Sequence, residues 1–198
     1  MEQKKLTDQT AHLLCATERI FSNEEIDRII EQGKKLQFEE AVVNGQDGKF
    51  GVKAQTRTCK IGWFMPGADT NWIFDRIIDV ITTVNNSHFR FDLTQFEPLQ
   101  FASYDSSREE FYGQHMDCTM GIPHKTASRK LSITIQLSGA DEYQGGDLNL
   151  YQGRDPIVAP KGKGQLVCFP SYVLHEVTPV TSGTRYSLVT WVHGPLFR

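Results

Sequence analysis

The sequence predicts a mainly β protein with flanking α-helices, its strands folded as a sandwich or jelly roll. Three observations carry that expectation. From about residue 97, "LQFASY", "LSITIQL", "DLNLY", "GQLVCFPS" and "YSLVTWV" are short segments rich in Val, Ile, Phe, Tyr and Thr. Apolar and polar residues alternate along them, as the two faces of a pleated strand require. Gly, Pro and Asp turns separate them, so several antiparallel strands fit into about 100 residues.

The elements before residue 97 differ in texture. "FSNEEIDRIIEQGKKL" opens with Ser22 and has Glu25 three residues later, the pattern of a capping box at a helix start. Ile26, Ile29 and Ile30 then share one helical face. "VVNGQDGKFGVKAQ" is rich in Gly, Asn and Asp and reads as a hairpin or mobile loop. A second helix is expected over "NWIFDRIIDVITTVNN", where Ile73, Ile77, Ile81 and Val84 recur every three to four residues. Both helices are expected to pack against the β core. No internal repeat, low-complexity tract or linker divides the chain. It therefore reads as one domain, 1–198, with a mainly helical supporting region at 1–96 and the jelly-roll core at 97–198.

Composition narrows the functional classes. A length of 198 residues, with 39% hydrophobic and 23% charged residues, suits an ordinary globular protein with a sizeable core. The formal net charge of −3 gives no electrostatic case for nucleic acid as the main partner. The densest basic stretch, "KGKG" at 161–164, reads as a turn. Cys15, Cys59, Cys118 and Cys168 are widely spaced, which argues against a zinc ribbon and a disulfide framework. The N-terminal residues lack a signal-peptide apolar region, and no stretch approaches the roughly 18 apolar residues of a membrane span. A reduced, cytoplasmic protein without membrane contact is the expectation.

The chemistry is expected around "FYGQHMDCTM". In an extended strand His115 and Asp117, as i and i+2, point to one face, with Met116 pointing away. His175, 58 residues beyond Asp117, lies in "FPSYVLHEVTPV" just past a predicted strand and before a Pro-containing turn, and is the candidate third ligand. Two histidines and a carboxylate on one face leave open positions, as non-heme iron(II) oxygenases require. Zinc could take the same set with a water, so the ligands alone leave the metal open. Arg185 follows His175 by ten residues in "GTRYSLVTW", and Ser187 shares its strand face. A guanidinium fork with a neighbouring hydroxyl suits a carboxylate, and a dicarboxylate could bridge from metal to arginine. Tyr104, on the strand before His115, could add a phenolic donor. Taken singly, a loop histidine and a surface arginine would be the ordinary explanations; the ordered set is far more specific.

That set sits in "FEPLQFASYD", "YGQHMD", "RKLSITIQLSGADEYQGGDLNL" and "KGQLVCFPSYVLHEVTPVTSGTRYSLVTWVHGP". Together these segments resemble the iron(II)/2-oxoglutarate-dependent dioxygenases, in their prolyl 4-hydroxylase-like (PKHD-type) branch. The resemblance is strong over about 97–198 and weaker through the two upstream helices. It implies a double-stranded β-helix, the cupin-like jelly roll, flanked by helices. It implies Fe(II) on His115, Asp117 and His175, and 2-oxoglutarate held by Arg185 with Ser187 and Tyr104. It further implies O2 as co-reactant, release of succinate and CO2, and ascorbate as an accompanying reductant. The implied reaction hydroxylates an unactivated C–H bond, foremost of a prolyl residue in a peptide or protein. Many animal and plant prolyl hydroxylases hold the cosubstrate with lysine where Arg185 stands, which weakens any inference of a collagen-like substrate.

Two other readings remain at this stage. One is hydroxylation of a free amino acid or another small molecule; the other is a non-catalytic jelly-roll binding or sensing module, in which the ligand set should be incomplete. A nucleic-acid demethylase is disfavoured, because Trp191 stands where that branch resembles a pattern with a second arginine. Gly145 and Gly146 are expected to make a tight turn, with close approach to the site as the lesser alternative. Cys118, His124 and His193 are expected to be non-ligands. Arg57, Trp63 and the 44–56 loop are candidates for a lid over the substrate.

Overall fold

The computed structural model describes residues 14–40, 43–44, 50–51, 57–118 and 127–196. Strand β1 (Cys15–Arg19) leads into helix α1 (Asn23–Gly33), followed by β2 (Glu39–Glu40), β3 (Val43–Asn44), β4 (Phe50–Gly51) and β5 (Lys60–Phe64). Helix α2 (Asn71–Val84) runs into a π-helical turn at Asn85–Phe89. Next come β6 (Gln95–Phe96), β7 (Leu99–Asp105), β8 (Tyr112–His115), β9 (Ala127–Gln136) and β10 (Tyr143–Gly145). The last strands are β11 (Leu148–Tyr151), β12 (Pro156–Val158), β13 (Gln165–Pro170), β14 (Leu174–Val177) and β15 (Val180–Pro195).

The strands form a large sheet in the order β1-β13-β9-β15-β7-β5-β2, with β6 and β10 also pairing along β15. A smaller sheet runs β12-β11-β14-β8. Strands β3 and β4 pair antiparallel, Val43 with Gly51 and Asn44 with Phe50, which agrees with the expected hairpin. The rest of that segment lies outside the described residues. The two larger sheets face one another as a jelly roll. The first half is less helical than expected, because β1, β2 and β5 extend the large sheet at both edges. Strand β5, "KIGWF", is too short a run for its alternation to declare itself in the sequence.

Both helices form where the sequence places them. Ser22 Oγ accepts from the Glu25 backbone N–H at 3.2 Å, and Glu25 Oε2 accepts from the Ser22 N–H at 2.8 Å. This reciprocal cap satisfies two donors that the first turn cannot, and such a cap stabilises a helix by about 1 kcal/mol. Helix α1 buries Ile26 and Ile29; α2 buries Ile73, Phe74, Ile77, Ile81 and Val84. These side chains share a core with Leu99, Phe101, Leu131, Ile133, Ile135, Leu166, Cys168, Leu188 and Val192 of the large sheet.

Strand parity decides what the opposite face of that sheet presents. Side chains alternate between faces, so Ala102, Tyr104, Val167 and Phe169 fall in a second core with Leu148, Leu150 and Val177 of the small sheet. Ser132, Thr134 and Gln136 share that inner face, as do Arg185, Ser187 and Trp191, and all six are buried. The alternation in "LSITIQL" therefore does not separate core from solvent. Its apolar side meets the helices, and its polar side lines the interior between the sheets.

Candidate active site

His115 and His175 are brought together by one register. Strands β8 and β14 pair antiparallel with His175 directly opposite His115, a position that sets side chains side by side. Their ring centroids lie 4.1 Å apart. His175 is inside β14 rather than past a strand end. Asp117 corrects the simple strand argument: β8 ends at His115, and Asp117 lies in the bend beyond it. What turns its carboxylate inward is backbone pairing, since the N–H groups of Asp117 and Cys118 both donate to the Ser171 carbonyl at 3.0 and 2.9 Å. Met116, between the two, is exposed.

Among the described residues, His115, Asp117 and His175 form a group whose potential ligand atoms all lie within 4.8 Å of one another. His115 Nε2 is 3.6 Å from Asp117 Oδ1, and His175 Nε2 is 3.4 Å from Asp117 Oδ2. Each imidazole is oriented from behind. His115 Nδ1 lies 2.8 Å from the Gly113 carbonyl, and His175 Nδ1 lies 2.9 Å from the Val173 carbonyl. A carbonyl only accepts, so each Nδ1 carries a proton and each Nε2 is left facing the group. Burial, then the neighbouring His175, depresses His115 to about 3 and keeps the ring neutral. Burial alone would raise Asp117, but the two imidazoles and the Ser132 hydroxyl outweigh it and hold the carboxyl well below the usual range. Ser132 Oγ donates to Asp117 Oδ2 at 2.6 Å and lies 3.0 Å from Ser171 Oγ.

The group opens on a cavity of about 440 Å³, whose walls include Arg57, Trp63, Tyr104, Tyr112, Phe169 and Trp191. Tyr112 stacks on His115 at 3.5 Å between centroids and 13° between planes. Burial pushes the Tyr112 phenol up to about 12.

The residues expected at the far end of a bridging dicarboxylate also assemble. Arg185 pairs with Tyr104 across β15 and β7. Its Nη1 donates to Ser187 Oγ at 3.3 Å, and its guanidinium carbon lies 5.5 Å from the Tyr104 ring centroid. Burial raises the Tyr104 phenol far above its ordinary value, so it stays a neutral donor. Arg185 is only 3% exposed, its Nε has no hydrogen-bond partner, and no carboxylate pairs with it among the described residues. It does not line the large cavity. It faces a neighbouring void of about 10 Å³, separated by Thr134 and Leu148, which line both spaces.

Both expectations for the glycine pair hold. Gly145 and Gly146 have φ of +72° and +58°, a turn that L side chains disfavour. A Cβ on Gly146 would also come within 2.9 Å of Arg185 Cδ. Cys118 is buried 3.1 Å from Ser128 Oγ, outside the metal-competent group. His193 is likewise outside it, with Nε2 2.6 Å from Glu97 Oε1. Arg129 forks onto the same carboxylate at 2.6 and 2.7 Å. His124 and most of the 44–56 loop lie outside the described residues. Arg57 and Trp63 are corrected from lid to wall: Arg57 is buried and Trp63 sits within β5. Ser132, Ser171 and Thr134 escaped sequence reasoning. For Ser132 and Thr134 the one signal was a polar residue at every second position of a strand flanked by strong apolar ones, whereas Ser171, in the turn after β13, carried none.

The family model described as "2OG-Fe(II) oxygenase superfamily" matches residues 99–193. A PKHD-type hydroxylase of Synechococcus sp. (strain CC9605) is 42% identical over 88 residues, covering 44% of this chain and 38% of that protein. One from Acinetobacter baumannii is 38% identical over 100 residues, covering 48% and 42%. The chain thus spans 38–42% of the length of these curated relatives. A Pseudomonas putida prolyl-4-hydroxylase has a TM-score of 0.67 at 20% identity, covering 96% of both chains. A viral collagen prolyl hydroxylase from Paramecium Bursaria Chlorella virus-1, in complex with 2OG, has a TM-score of 0.69 at 20% identity, covering 92% of this chain and 96% of that one. These likenesses establish the jelly-roll fold with its flanking helices. Over residues 99–193 the chain is similar to the 2OG-Fe(II) oxygenase superfamily.

Proposed function

We propose that the protein is an Fe(II)/2-oxoglutarate-dependent dioxygenase that hydroxylates an unactivated C–H bond, foremost of a prolyl residue in a peptide or protein. The observation that carries this reading is the convergence of two imidazole nitrogens and one carboxylate on a single cavity. The donor set fits iron(II): it is facial, mixed N and O, and leaves positions free. The orphaned Nε of buried Arg185 fits a carboxylate, because burying an unpaired guanidinium is costly. The superfamily supplies iron, 2-oxoglutarate and dioxygen as the reactants. The prolyl target draws support from the curated relatives and solved neighbours, which are hydroxylases and prolyl hydroxylases by name.

In this reading His115 and His175 offer Nε2, and Asp117 offers an anionic oxygen while Ser132 fixes the other. Arg185, with Ser187 and Tyr104, holds the distal carboxylate of 2-oxoglutarate. When bound, iron and 2-oxoglutarate supply the oxidising power, turning dioxygen and the cosubstrate into succinate, CO2 and one inserted oxygen. The protein's own contribution is orientation and exclusion of water. Tyr112 packs against His115 and Phe169 against His175, at 4.8 Å between centroids, so both ligands stand on aromatic walls. No helix among the described residues is long and apolar enough to cross a membrane. The four cysteines are free thiols, which supports the reducing, cytoplasmic setting included in this proposal.

Adding Fe(II) and 2-oxoglutarate under argon should produce a weak visible charge-transfer band. Admitting air should then yield succinate, and candidate peptides should gain one oxygen by mass spectrometry. Absence of both the band and succinate with well-folded protein would overturn the oxygenase reading.

A further inference from the structure

A buried charged group lines the cavity outside the residues proposed to hold metal and 2-oxoglutarate: Arg57. It precedes β5, and its backbone bridges to Tyr112. The side chain is 6% exposed and lines the cavity. Its Nη2 donates to Gln100 Oε1 at 2.8 Å and its Nε donates to Cys59 Sγ at 2.8 Å. The guanidinium carbon lies 4.4 Å from the Tyr112 ring centroid. None of these partners is a carboxylate, and no ion pair reaches Arg57 among the described residues. Nη1 makes no hydrogen bond there and is not among the buried unsatisfied atoms.

The other guanidinium on this wall behaves differently. Arg129 has both Nε and Nη2 committed to Glu97. The remaining wall carboxylates do not compensate Arg57. Asp117 is engaged by the imidazoles and Ser132, and Glu39 stands exposed at the rim without an ion pair among the described residues. A buried arginine without a counter-charge is costly, and its fork matches a carboxylate better than any other common group. Its place in the cavity is also defined: Arg57 lies against Tyr112, and Tyr112 stacks on the metal-side His115.

We infer that Arg57 binds a free carboxylate of the substrate, so that the residue hydroxylated is a free amino acid or the C-terminal residue of a peptide. This rests on the oxygenase reading and names the substrate class of the same site. An internal peptide residue presents only a neutral carbonyl to such a cation. The cavity volume, near the lower end for small-molecule pockets, suits one residue beside the cosubstrate.

The test compares acids with their amides. N-acetyl forms of the common amino acids and their N-acetyl amides are titrated by calorimetry into protein holding Fe(II) and 2-oxoglutarate under argon. The free amino acids and short peptides ending in the best residue form two further arms. At least one acid should bind about tenfold or more tighter than its amide, as a charge-assisted pair requires. Arg57→Met should collapse that difference to within about twofold, Arg57→Lys should keep part of it, and 2-oxoglutarate affinity should shift less than about threefold in both. The wild-type acid–amide comparison stands even if a variant misfolds. Amides binding as well as acids, no acid binding at all, or an unchanged difference in a folded Arg57→Met would each overturn the inference. Succinate formation separates this from the parent reading. If air yields succinate while acids and amides behave alike, only the carboxylate assignment falls. If the Arg57-dependent difference appears without succinate, the oxygenase reading falls and Arg57 remains a carboxylate site.

Discussion

The two ends of the interior are built by different means. At the metal-competent end, three ligand atoms converge because backbone groups hold them: carbonyls orient both imidazoles, and the Ser171 carbonyl fixes the bend that carries Asp117. At the Arg185 end, side chains do the work. Arg185 reaches Ser187 and packs by Tyr104, its Nε is unsatisfied, and the surrounding void is only about 10 Å³. One end is rigid by pairing of strands. The other depends on a charged group whose best partner is a ligand carboxylate.

Breaking the first end should have the largest effect. His175→Ala removes a ligand from a fixed register and is expected to abolish iron-dependent succinate formation, with far-UV circular dichroism confirming the fold. Removing the cation at the second end should be graded instead. Arg185→Ala is expected to raise the 2-oxoglutarate concentration for half-maximal turnover by roughly 10–150-fold, the range for losing a hydrogen bond to a charged group. Arg185→Lys should recover part of it, since the charge remains but the fork does not. If Arg185→Ala left the cosubstrate requirement untouched, the assignment of the second end would be wrong.

Ser132→Ala tests whether the metal end depends on its side-chain brace as well as on backbone. It should weaken iron binding by about 10–100-fold, as losses of groups behind metal ligands typically do, measured by competition with a chelator. A change below about threefold would mean that the backbone alone suffices. The smallest effect is expected from Gly146→Ala, which combines φ of +58° with a contact of 2.9 Å to Arg185 Cδ. It should cost about 1–3 kcal/mol in denaturant unfolding. It should also raise the 2-oxoglutarate requirement while iron affinity stays unchanged, which would tie that turn to the second end alone.

Much of this was legible in residue patterns. The capping box and isoleucine stripes of α1 and α2 are local signals, and local hydrogen bonding realises them. The i and i+2 spacing also placed Arg185 and Ser187 on one face, since both lie within β15. The same rule named Asp117 for an incomplete reason, because β8 stops at His115 and a distant carbonyl completes the turn. As a lone arginine in a Gly-rich neighbourhood, Arg57 does not reveal its own exposure, so the sequence suggests a lid where the structure has a wall. Its burial follows from pairing with Tyr112, 55 residues away.

By itself the sequence determined the strand-rich second half, the two helices and the identities of the candidate metal and carboxylate groups. Those are fixed by short-range periodicity and by side-chain chemistry, which any segment carries with it. Tertiary structure alone decided that the polar face of "LSITIQL" looks inward, because only the packing of a second sheet over Ser132, Thr134 and Gln136 hides it from water. It also decided that His115 faces His175, that Ser132 braces Asp117, and that Arg57 meets no acid among the described residues. Strand register and sheet stacking join residues far apart in the chain, and no local pattern encodes which partners they will meet.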